Sequence, residues 1–183
     1  RFFQDIRFYV RLFVAFLPAV FFGLLFKKQI DALLENIVVV AVALIAGGIV
    51  FLLIDDYFKK QSTRDTTTDD ISLPKALKIG LFQVVSMVPG VSRSAATIIG
   101  GLTQGLSPRT AAEFSFFLAI PTLIIATLYQ LYKERALLSF DDIGMWTVGF
   151  IAAFVSAFWA VRGLLRYIST HDFTVFVWYR IAF

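Results

Sequence analysis

The segment Pro89-Gly90-Val91-Ser92-Arg93-Ser94-Ala95-Ala96-Thr97 is where this sequence can do chemistry. Gly90 permits an unusual backbone turn, and Ser92 is placed to cap the helix that follows. A capped helix start directs free N–H groups and the positive end of the dipole at whatever lies before it, which suits phosphate. Arg93 adds a permanent charge whose planar fork can take two phosphate oxygens at once. Ser94 and Thr97, three apart, offer hydroxyls on the same helical face.

Each of these residues also has a plainer role. Ser and Thr in apolar helices commonly bond their own backbone or a neighbouring helix, and that role is open to Ser94 and Thr97. Arg93 has fewer plain options, because an arginine deep in an apolar run costs at least roughly 2.5 kcal/mol and must be paired or reach a wet cavity. Glu113 reads as a carboxylate at a helix start, favoured by the dipole, or as a partner for Arg93. Gly101 and Gly105 form a GxxxG pair of the kind that packs helices. The only histidine, His171, sits beside Asp172 in a terminal loop. Ser92 therefore has no visible general base, and a Ser-His-Asp hydrolase is disfavoured.

The elements that must position these residues are helices in a membrane. Of the 183 residues, 58% are hydrophobic and only 16% charged, and the mean hydropathy is +0.78. The apolar residues fall in runs of membrane-spanning length, so the chain is expected to be all-α, a polytopic helix bundle forming a single membrane domain over 1–183. Spans are expected at about Phe8–Phe26, Ile37–Ile54, Glu113–Tyr132 and Met145–Val161, with a last apolar segment from Phe173. Pro121 should kink the third of these, and the pair Gly47 and Gly48 should let a neighbour approach the second. Residues 59–72, with the run QSTRDTTTDD, are expected to be a polar loop. Between them, residues 79–106 are apolar but interrupted by Pro89 and Gly90, leaving two stretches too short to span alone. That predicts a re-entrant hairpin with its tip lining a polar cavity.

Charge placement orients this topology. Nine Lys or Arg fall on the face holding residues 1–7, 55–75, 107–110 and 162–172, against four on the other. The first face is then expected to be cytoplasmic. The same distribution, short basic loops between apolar runs, argues against nucleic acid as a partner despite the net charge of +4. With no cysteine, disulfides and thiolate chemistry are excluded. The absence of an initial Met and the apolar end at Phe183 read as a C-terminal part of a longer chain.

PGVSRSAATIIGGL, followed after a short turn by AAEFSFFLAIP, resembles the second signature region of the undecaprenyl-diphosphate phosphatase family, also called the bacitracin-resistance family. LPAVFFGLLF, GGIVFLLID, FQVVSMVPG and FVWYR resemble other segments of that family in the same order. The resemblance implies a multi-pass bacterial plasma-membrane hydrolase. It would convert undecaprenyl diphosphate to the monophosphate, recycling the lipid carrier for cell-wall synthesis and conferring bacitracin resistance.

The resemblance also implies inverted repeats whose two hairpins meet at the site, and a divalent cation, Mg or Ca, with no ligands identifiable in this chain. Ser92 and Arg93 match the family's serine and arginine of the second hairpin, Arg93 holding the diphosphate and Ser92 a ligand or nucleophile. Gly90, Ser94, Thr97 and Glu113 are the accompanying substrate-binding candidates. Ala95 stands where the family usually has glycine. The family's first signature, with its glutamates and histidine, is absent from these residues, which alone are expected to be inactive. The partners implied are the polyprenyl diphosphate and membrane lipids, with a homo-oligomer left open. An anion transporter or channel built on the same broken helix is the rival class, and a non-catalytic lipid-binding protein a third.

Overall fold

A computed structural model describes residues 6–61, 66–135 and 142–168, and the single positions 175, 178, 179 and 182. Of 51–52, 54–61 and 168 it describes the backbone alone. The centre of the expected polar loop at 62–65, the His171 loop, and the last apolar segment apart from the four single positions lie outside the described residues. Every regular element described is helical: α1 (Ile6–Leu25), α2 (Lys27–Leu34), α3 (Ile37–Gln61), α4 (Leu73–Val85), α5 (Arg93–Thr103), α6 (Pro108–Lys133) and α7 (Ile143–Ile168), with a 3-10 turn at Thr68–Asp70.

Helices α1, α6 and α7 are long and apolar enough to cross a membrane, and α2 with α3 passes the same test as a pair bent by 96°. The chain is a multi-pass membrane protein. Its apolar side chains face outward as well as inward, as lipid requires: on α7, Phe150 is 73% exposed. Helix α2 was not expected, because KKQIDALL is too short and polar to announce itself. The bend that follows is set by Asn36, whose side-chain oxygen accepts from the amides of Val38 and Val39 at 3.0 and 3.3 Å and starts α3 afresh.

The hairpin formed by α4 and α5 is inserted between α1 and α6. Small residues allow each approach. At Gly80 of α4, a Cβ would run into the carbonyl of Ala15 on α1. Gly100 accommodates Phe82 across the hairpin, and Gly101 leaves room for Ala111 of α6, whose Cβ a side chain there would meet at 2.8 Å. Gly105, the other half of the expected GxxxG pair, packs against nothing. With φ +77 it instead reverses the chain after α5. Leu12, Ala15, Ile79, Ile98, Leu102, Phe114 and Leu118 form the shared core, and Phe8 of α1 meets Phe117 of α6 edge-on at 5.0 Å.

The hairpin is tied down at its base. Arg11 of α1 donates to the carbonyl of Thr68 at 3.0 Å and pairs with Asp69 at 3.4 Å. Thr66 accepts from the Ser107 amide at 2.8 Å, while Thr110 donates to the Thr66 carbonyl. The segment entering the hairpin is thus fixed both to α1 and to the start of α6. Gly80→Val should cost about 3 kcal/mol, the upper end for overpacking, because backbone rather than a movable side chain blocks the new atoms. Thermal unfolding in detergent checks this.

Candidate functional site

The tip, residues 86–92, is built by a helix that unwinds before it stops. The amides of Ser86, Met87 and Val88 bond back three residues, to Gln83, Val84 and Val85, at 3.0–3.2 Å, and the Val91 amide reaches Val88 at 3.0 Å. Pro89 has no amide to place. Gly90 takes φ +91, and a Cβ there would collide with the carbonyl of Val40 on α3. Both its conformation and its contact call for glycine.

Ser92 then starts α5. Its backbone is extended, with φ −68 and ψ 121, its carbonyl accepts from Ala96 at 2.9 Å, and its Oγ accepts from the Ala95 amide at 3.3 Å. This cap leaves the amides of Arg93 and Ser94 as the first-turn donors directed out of the helix end. Ser94 lies within 3.2 Å of Ser92, Oγ to Oγ. Gly90 through Ala95 are all half-buried, a boundary position that a ligand can reach. Arg93 has its Nη1 buried without a hydrogen-bond partner among the described residues. Helix amides, hydroxyls and a guanidinium all supply donors at the tip, which suits an anion.

Thr97 and Glu113 are held elsewhere. Thr97 is 1% exposed. Its hydroxyl donates to the Arg93 carbonyl at 2.9 Å and takes a 2.6 Å contact from Ser115 of α6, so it fastens α5 to α6. Glu113 accepts from Arg109 at 3.0 Å, one turn back on its own helix, instead of pairing with Arg93. Nor does it open that helix: Ser107 caps α6, accepting from the Thr110 amide at 3.3 Å, and Pro108 takes the first position. Among the described residues no group of three His, Cys, Asp or Glu could hold a metal ion. The fixed positive charge of Arg93 likewise disfavours a divalent cation at the tip.

Sequence reasoning passed over Gln83 and Ser115, both almost wholly buried. The available signal was an amide and a hydroxyl inside apolar helices, on faces otherwise filled by Ile, Leu and Ala. Gly90→Ala should lower stability by at least about 1–2 kcal/mol from its left-handed backbone alone, with the collision against α3 adding to it. Thermal unfolding of the purified variant measures the loss.

Residues 2–183 match the family described as Bacitracin resistance protein BacA. The undecaprenyl-diphosphatase of Dechloromonas aromatica is 59% identical over 177 residues, covering 97% of this chain and 64% of that protein. Undecaprenyl-diphosphatase 1 of Chromobacterium violaceum is 58% identical over 93% of this chain and 62% of its own length. Undecaprenyl-diphosphatase 2 of Rhodospirillum rubrum is 56% identical over 98% and 65%. The chain spans just under two thirds of these relatives, and nearly all of it is matched. It belongs to the bacitracin resistance protein BacA family.

Proposed function

We propose that the protein hydrolyses undecaprenyl diphosphate to undecaprenyl phosphate and phosphate at the bacterial plasma membrane, returning the carrier to cell-wall synthesis and conferring bacitracin resistance. The observation that carries this reading is the tip itself: a half-buried arginine beside the capped start of α5, inside a bundle of lipid-facing helices. The names of the relatives, undecaprenyl-diphosphatases, supply the substrate class that such a site would take.

In this reading the headgroup enters the tip with its prenyl chain left among apolar helices. Arg93 takes oxygens of the diphosphate, and the amides of Arg93 and Ser94 take others. The developing charge on the transferred phosphoryl group is met by fixed donors where little water competes. Ser92 is a phosphate ligand or nucleophile; its described hydrogen-bond partners are the Ala95 amide and Ser94, neither of which is a base. The divalent cation that the family resemblance implies would supply charge neutralisation, and no ligand set for it stands among the described residues. The anion-transport reading shares the site but not the bond cleavage.

The test is phosphate release from undecaprenyl diphosphate by the protein made from its complete reading frame and reconstituted in liposomes. Turnover is expected, and uptake of the anion without hydrolysis would overturn the proposal. Arg93→Lys keeps the charge but loses the fork, and should lower the rate about 10²-fold, the scale for loss of one oxyanion donor. Near-normal turnover of that variant removes Arg93 from the role.

A further inference from the structure

Two buried polar atoms of the hairpin have no hydrogen-bond partner among the described residues: Oε1 of Gln83 and Nη1 of Arg93. Gln83 is third from the end of α4, and Arg93 opens α5. The two therefore stand on opposite arms of one hairpin, on either side of its turn. Gln83 is 2% exposed, so its amide is shut off from solvent. Its nitrogen is occupied, donating to Thr122 of α6 at 3.4 Å, which leaves the carbonyl oxygen as the unmatched end.

The chemistry of the two orphans is complementary, one an acceptor and the other a charged donor. An ionised diphosphate satisfies Arg93 but offers Gln83 nothing, because its oxygens are acceptors too. A water does both, accepting from the guanidinium and donating to the amide. We propose that Gln83 is a positioning residue for Arg93: through one bridging water its Oε1 holds the buried Nη1 edge of the guanidinium and leaves the other edge free for phosphate. An amide does this without cancelling charge. A carboxylate at the same place would pair with Arg93 and compete with the substrate for it.

The inference rests on the phosphatase reading for its kinetic test, so binding of inorganic diphosphate to the same variants, followed by calorimetry, is measured beside turnover. Gln83→Met keeps the volume and removes the acceptor. It should lower kcat/KM and weaken diphosphate binding about tenfold, whereas Thr122→Val, which removes only the partner of the amide nitrogen, should change either by less than about twofold. In the Arg93→Lys background, where there is no fork to aim, Gln83→Met should cost less than about twofold. Gln83→Glu should raise KM about tenfold by pairing with Arg93, and provides the reading if the methionine variant does not fold.

Unchanged kinetics and binding in Gln83→Met, an equal penalty in both Arg93 backgrounds, an equal loss in Thr122→Val, or an unchanged KM in Gln83→Glu would each overturn the proposal. A wild type that binds diphosphate but releases no phosphate would sink the phosphatase reading instead, and the binding measurements would still decide the role of Gln83.

Discussion

A backbone surrounded by hydrocarbon has to satisfy its own polar groups, and the stretch between Val85 and Arg93 is where this chain meets that requirement without a helix. The amides of 86–88 and 91 tighten into three-residue bonds, proline removes one donor, and Ser92 absorbs another. Among what remains to meet a ligand are the first-turn amides of α5 and the guanidinium of Arg93, which are donors. An anion completes the same accounting that the turn leaves open.

Close approach is what lets this break sit inside the bundle. Gly80 brings α4 onto the backbone of α1, Gly100 closes the hairpin on Phe82, Gly101 admits Ala111, and Gly90 lets the tip meet α3. In a membrane, where lipid is as apolar as a leucine side chain, such contacts bind helices through packing that larger residues would prevent. Among the described residues, polar links between helices include Thr97 to Ser115, Gln83 to Thr122 and Lys27 to Tyr129, and Arg11 of α1 reaches Thr68.

The all-helical class and the spans were legible because twenty apolar residues in a row have few other uses. The break was legible because Pro89 and Gly90 interrupt such a run, and Arg93 stood out because a charge there needs a reason. Helix starts were harder. The apolar count placed a span at Glu113, five residues after α6 begins at Pro108, and so gave that carboxylate a terminal role, whereas it pairs with Arg109 within the helix. Pairings between distant segments were not legible at all. Gln83 and Thr122, or Gly80 and Ala15, carry no local pattern, since their meaning lies in which helix faces which. GxxxG misled for the same reason: one of its glycines packs and the other ends a helix.

The ties at the foot of the hairpin have a mechanical consequence. Arg11 and Ser107 clamp the segment that enters it to two separate helices, whereas the turn touches α3 through a residue with no side chain. Such a piece behaves as a cantilever, tied at its root by hydrogen bonds and packed closely on α3 at its far end. A small tilt of α3 is therefore felt first where phosphate would sit, and the root stays still.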